Sequence, residues 1–173
     1  ALGGGLFERS DFYSDAGEML HEAVWWFGHD KVPPCSIALS NVELKSRAFP
    51  VSGFYVMRTS SLFLIADCGH PVQVTGHAHN DVFSFELAAH GQTWIVDSGT
   101  YVYTASADWR NCFRSTAAHN TVMVDGVEIN TIDSTQLFSL GRESIPIVNL
   151  WQSTSEYDLL DAQHGGYLRI PEC

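Results

Sequence analysis

Between residues 53 and 129 the sequence breaks into short runs rich in β-branched and aromatic residues: GFYVMRTS, SLFLIADCG, PVQVTGHAH, VFSFELAAHG, TWIVDSGTYVY and NTVMVDGVEI. Gly, Asn, Asp or Ser punctuates the runs, so each is too short for a long helix and the right length for a strand. Many strands at close spacing with turn signals between them predict a mostly β fold, an antiparallel β-sandwich or barrel-like module. The tripeptides HGQ at 90–92 and DGV at 125–127 read as hairpin turns. One run is ambiguous, because Phe85, Leu87 and Ala88 in VFSFELAAH fit a helical period as well as an alternating one.

The N-terminal stretch has a different texture. In SDAGEMLHEAVWWFGHDKVPP, Ser14 is placed to cap a helix, with Asp15 and Glu18 in the first turn where the dipole favours them. Met19, Leu20, Ala23, Val24 and Phe27 share one face, and Gly28 with Pro33-Pro34 supplies the stop. The expected organisation is therefore a helical segment over 1–33 followed by a β domain over 34–173. The opening ALGGGLFERSD and the closing IPEC read as cuts in a longer chain, with the sandwich expected to run on past the C-terminus.

Composition narrows the function classes. The 173 residues are 45% hydrophobic and 17% charged, enough for one domain with its own core. No run of about 18 apolar residues occurs, so no membrane span is expected. Nine Lys and Arg against 20 Asp and Glu leave a net charge of −11 with no basic cluster, which argues against nucleic acid as a partner. Cys35, Cys68, Cys112 and Cys173 are too far apart for a CxxC motif, and Cys68, inside an apolar run, reads as a buried thiol.

Polar residues that look out of place fall in three segments: GHAHND at 76–81, WIVDSGTYVY at 94–103 and RSTAAHNTVMVDG at 114–126. His77 and His79 are one residue apart, a spacing that on a strand would aim both imidazoles into one space. Asp97 ends an apolar run and His119 precedes another. His79, Asp97 and His119 together offer two nitrogens and an oxygen, a set that suits Zn²⁺ with a fourth position open. The competing reading is structural, with Asp97 accepting turn hydrogen bonds and His119 a satisfied core histidine.

Taken together, residues GHAHNDVFSFELAAHGQTWIVDSGTYVYTASADWRNCFRSTAAHNTVMVDG resemble the heparinase II/III-like family of polysaccharide lyases. That family carries a GHGHxDxLSFE stretch, a strand ending in DSGTY and an RSTxAHNTV stretch in this order. FPVSGFYVMR upstream and HGGYLRI downstream also resemble family segments, so the likeness runs over roughly residues 7–170. It implies an N-terminal α/α toroid, of which residues 11–28 would be the last helix, joined to an antiparallel β-sandwich with the cleft between them. It also implies cleavage of uronic-acid-containing polysaccharide by β-elimination, with the bacterial periplasm or the cell exterior as the place of work. By the same resemblance His77 belongs to the catalytic set, while His79, Asp97 and His119 bind the metal, usually zinc. Ala78 replaces the second glycine of GHGH, a small change that leaves both imidazoles in place. The toroid, which supplies a tyrosine and asparagine or histidine residues to the family's site, is not in this chain.

Further roles are open between chemistry and structure. Tyr101 and Tyr103 lie close to the constellation, and Tyr101 is the candidate acid or base, though a strand tyrosine can equally be packing. Arg114 suits bidentate pairing with a uronate carboxylate, or with a neighbouring Asp. Asn120 suits substrate binding or the turn before the next run. Arg110, Arg114 and the metal are expected to offset the acidic net charge locally where an anionic polysaccharide would bind. Glu86 is expected to support the histidine loop. Two rival readings are a non-catalytic carbohydrate-binding or structural sandwich whose metal only staples loops, and a cupin-like metal oxidase. The latter is weakened because Glu86 stands too far beyond His79.

Overall fold

The computed structural model describes residues 24–25, 45–70 and 77–171. The chain separates into two compact units, Ala1–Glu43 and Leu44–Cys173, and the architecture below is that of the second. The helix expected over 14–28 and the boundary expected at 33/34 lie outside the described residues, except that Val24 and Trp25 are helical.

Five antiparallel strands form the main sheet in the order β1-β2-β3-β4-β5: β1 Arg47–Phe49, β2 Phe54–Arg58, β3 Leu62–Asp67, β4 Phe85–Ala89 and β5 Gln92–Ile95. VFSFELAAH thus resolves as strand, with Leu64 opposite Leu87 and Ala66 opposite Phe85. The β4–β5 hairpin closes at His90-Gly91, both with positive φ (52° and 75°), as the two-residue turn requires. A second, two-stranded sheet pairs β6 Ile147–Ser153 with β7 Asp158–Gln163.

Register assigns the two faces of the main sheet. Tyr55, Met57, Leu64, Ala66 and Phe85 share one face, because partners in register and residues two apart point the same way. That face meets the β6–β7 sheet: the Tyr55 and Trp151 rings lie 5.4 Å apart, and Leu160 and Ala162 line an apolar cavity with Met57, Leu64, Ala66 and Phe85. The opposite face carries Phe54, Phe63, Ile65, Asp67 and Glu86, and floors a cleft of about 440 Å³. Gly53, at φ +82°, lets the start of β2 approach Gly69, since a Cβ there would come within 2.2 Å of the Gly69 Cα.

The region after β5 departs from expectation. TWIVDSGTYVY is strand only to Ile95, and Tyr101, at φ +54°, is not in a strand. NTVMVDGVEI forms the expected turn at Asp125-Gly126 but contributes a single bridge, Val124 to Val127, in place of a hairpin. Between these lie α1, Ala107–Phe113, capped by the Ser106 side chain, and a 3₁₀ turn, Thr116–Ala118. In the second run and just beyond it, buried polar side chains take up backbone hydrogen bonds where a ladder would otherwise form. Thr116 Oγ1 accepts from Ile129 N, while Arg114 donates to the carbonyls of Asp133 and Ser139. Cys68 is a buried free thiol, and Cys112 is free and exposed. No helix among the described residues is long and apolar enough to cross a membrane.

Candidate metal centre and its neighbouring histidine

The connection between β3 and β4 carries the histidine pair. Residues 77–79 have no regular structure, and the loop is held by its buried residue Asn80. Asn80 N donates to Arg114 O (2.9 Å), and its amide donates to Glu128 Oε2 (2.7 Å) and Asn130 O (2.9 Å). Glu128 also accepts from Thr116 N and Thr116 Oγ1, each at 2.8 Å, so one carboxylate joins the histidine loop to the segment that leads into His119. Glu86, expected in a supporting role, lines the cleft together with Asp81 and Asp97.

His77 and His79 face different surroundings. His77 is exposed, its ring edge-on to Tyr103 (5.1 Å) and Phe138 (5.5 Å). The His79 ring lies 5.1 Å from that of His119, and its Nε2 is 2.5 Å from Arg110 Nη1. Burial first, then the positive charge of Arg110, pulls the His79 pKa down to about 4, so the imidazole is neutral at physiological pH.

His79, Asp81 and His119 bring one ligand atom each to within 4.8 Å of one another, a group able to hold a metal ion. Asp81, which the sequence analysis did not single out as a ligand, follows His79 by two residues and stands at the Asp of the GHGHxD stretch. Burial, then the charge of Asp67, raises the Asp81 carboxyl to about 6. Burial and the charge of Asp97 likewise raise Asp67, against a hydrogen bond from Gly69 N–H. Asp97 sits behind His119, with Oδ2 2.7 Å from Nδ1, and lies outside the group of three. Burial works against the Asp97 charge, yet hydrogen bonds from His119 and Gly99 N–H hold its carboxyl below the usual range. With Nδ1 committed to Asp97, His119 Nε2 is buried with no hydrogen-bond partner. An orphaned imidazole nitrogen on a histidine grouped with His79 and Asp81 suits a bound cation, which would pair it and offset the carboxylate charge.

The remaining expected residues are distributed as follows. Tyr101 is 66% exposed and packs on Trp109 and Phe113. Arg114 is fully buried, donating to Asn111 Oδ1 as well as to the Ser139 and Asp133 carbonyls, so its described donors end on protein. Asn120 donates through its backbone to Ser84 Oγ and through its amide to Phe85 O, tying the His119 segment to the start of β4. Arg110 is also fully buried, so neither guanidinium offers an exposed positive surface.

Residues 41–172 match the family described as Heparinase II/III-like, C-terminal. A heparin-sulfate lyase of Bacteroides stercoris is 27% identical over 135 residues, covering 74% of this chain and 18% of that protein. The structure of a heparinase III gene product superposes with a TM-score of 0.57 at 27% identity, covering 69% of this chain and 18% of the other. A heparan sulfate lyase HepC mutant from Pedobacter heparinus shares the fold, with a TM-score of 0.58 at 20% identity over 96% of this chain and 23% of that one. The chain therefore spans under a quarter of the length of these relatives. Mostly β, antiparallel in its sheets and matched over three quarters of its length, the chain belongs to the heparinase II/III-like family, in its C-terminal domain.

Proposed function

We propose that this chain is the β-sandwich part of a polysaccharide lyase that cleaves uronic-acid-containing polysaccharide by β-elimination. The observation that carries the reading is the exposed His77 held two residues from a metal-competent His79/Asp81/His119 group. In β-elimination a base takes the C5 proton beside the uronate carboxylate. The electron pair forms the C4–C5 double bond as the C4–O bond breaks, and an acid protonates the departing oxygen. His77 can hold or move a proton at that position, or donate to the carboxylate as negative charge builds on it. Tyr101, exposed beside α1, is the second proton-handling candidate on this chain. The remaining groups would come from an N-terminal α/α toroid of the same polypeptide.

The donor set of two nitrogens and a carboxylate favours zinc, held by His79, His119 and Asp81 with Asp97 orienting His119. When bound, the ion supplies a fixed positive charge that keeps the 77–81 loop against the His119 segment. Asp97 remains the ligand that the sequence motif implies, and exchanging Asp81 and Asp97 in turn for Asn separates the two assignments. The reading carries with it a periplasmic or extracellular setting, since a polymeric substrate does not cross a membrane unaided.

Ultraviolet absorbance of the unsaturated uronate tests the function directly, using the full-length polypeptide against a panel that includes alginate and heparan sulfate. A rise on one polymer supports the lyase and identifies its substrate. A flat trace across the panel, with metal bound, rejects it in favour of a metal-stapled carbohydrate-binding module.

A further inference from the structure

The exposed His77 is held by rings. Its imidazole stands edge-on to Tyr103 (5.1 Å, 87°) and to Phe138 (5.5 Å, 61°), which come from separate segments of the strand-poor region. Among the described residues none bonds to either nitrogen of that imidazole, so packing sets where the ring points. Tyr103 is 49% exposed and Phe138 38%, so the three rings meet at the surface and not in the core. One buried side chain ties the group down. Arg110 is fully buried in α1, and its guanidinium lies 5.4 Å from the Phe138 ring and 5.8 Å from that of Tyr103, within cation–π reach of both. Its Nε donates to Leu137 O (3.3 Å), next to Phe138, and its Nη1 to Thr100 Oγ1 (3.0 Å), three residues before Tyr103. Its Nη2 donates to His77 O (3.5 Å). One guanidinium therefore gathers the three segments whose rings meet, and a chance contact between exposed rings would not carry the desolvation cost of burying it.

We infer that Tyr103 and Phe138 are positioning residues, an aromatic clamp tied down by Arg110 that fixes the His77 ring and leaves both its nitrogens to the substrate. Rings suit this task because an edge-on contact restrains the plane of an imidazole without consuming a donor or an acceptor. A hydrogen-bonding partner would fix the ring too, but it would occupy one nitrogen and select the tautomer. His119, whose Nδ1 is committed to Asp97, shows that other arrangement in the same molecule. The clamp also separates the two tyrosines near the site. Tyr101 packs on Trp109 and Phe113, whereas the tyrosine against His77 is Tyr103. Tyr103 acts through its ring, and its hydroxyl has no part in the clamp.

The inference rests on the lyase reading for what His77 does, and the test keeps the two apart by reading both turnover and ring orientation in the full-length protein. Tyr103→Ala is expected to lower kcat by about 10²-fold with KM and melting temperature close to wild type, because a misplaced reactive group slows the chemical step more than it weakens binding. Tyr103→Phe, which keeps the ring and drops the hydroxyl, is expected to recover most of that loss. Crystal structures are expected to show one His77 ring orientation in the wild type and more than one in Tyr103→Ala. A Tyr103→Phe protein as slow as Tyr103→Ala overturns the inference, because the hydroxyl and not the ring then matters. Wild-type kcat in Tyr103→Ala, or a single unchanged His77 orientation in its crystals, overturns it as well. Should Tyr103→Ala fail to fold, Phe138→Ala, which removes the other wall, is read by the same two measurements with the same expected and contradicting results. A wild-type protein without lyase activity on any polymer counts against the proposed function only, and the ring orientations then decide the clamp.

Discussion

The two halves of the sandwich unit are held together by different means. Up to residue 95 the backbone satisfies itself in a five-stranded antiparallel ladder, and the buried residues are mostly apolar: Tyr55, Ala66, Cys68 and Val82. From 96 to 146 regular structure nearly vanishes and the buried residues are mostly polar: Arg110, Arg114, Thr116, His119, Asn130 and Ser144. A ladder tolerates change at any one side chain because its hydrogen bonds belong to the backbone. A segment held by side chains can put two imidazoles and a carboxylate within reach of one ion, at the cost of depending on each anchor. The candidate centre lies where the two regions meet, with His79 and Asp81 on the β3–β4 connection and His119 in the strand-poor region.

The comparison breaks most completely at His119. His119→Ala removes a ligand and leaves Asp97 without its donor, so metal content and melting temperature should fall together in metal analysis and calorimetry of the full-length protein. Unchanged zinc content in that variant would remove His119 from the centre. His77→Ala should instead keep the metal and the melting temperature while lowering turnover by about 10²–10⁴-fold. A variant that stays active would take His77 out of the chemistry.

Stability variants sharpen the contrast between the regions. Arg114→Met leaves Asn111 Oδ1 and the carbonyls of Ser139 and Asp133 without their charged donor, a loss of about 3 kcal/mol or more. Leu64→Ala, in the sheet face toward β6–β7, should cost about 2 kcal/mol, because the half-buried site loses little more than methylene contacts. Denaturant unfolding that ranks the two the other way would contradict the assignment of side-chain anchoring to the second region. The smallest effect is on the free cysteines. Burial, then the charge of Asp67, pushes the Cys68 thiol up to about 11, so alkylation at neutral pH should label exposed Cys112 and spare Cys68. Cys68 labelling should rise only as the pH nears that value or the sheet unfolds, and equal labelling at neutral pH would show the face to be open.

Legibility in the sequence follows the same division. The strands β2, β3 and β5 and the turn at His90-Gly91 announced themselves through short β-branched runs and local turn chemistry, while β4 read as helix or strand until its register was seen. The strand-poor region misled, because DSGTYVY and NTVMVDGVEI carry the same apolar texture, while the backbone of the first bonds locally and that of the second is claimed by Ser84, Thr116 and Tyr167. Asn80 and Glu128 are 48 residues apart, and nothing in either neighbourhood forecasts their bond. His79 and His119 were legible as metal candidates through residue type and motif. Asp81 stands in the same motif but was not read as a ligand, because its approach to His119 depends on how the loop held by Asn80 is placed. The donor saturation of Arg114 was likewise out of reach, since its partners are mainly backbone carbonyls.

Zinc content per chain, measured on the full-length protein with Asp81→Asn beside the wild type, tests the central claim most directly. The account predicts one equivalent in the wild type and its loss in Asp81→Asn. A wild-type protein without a bound divalent cation, or an Asp81→Asn protein that retains its zinc, would contradict it.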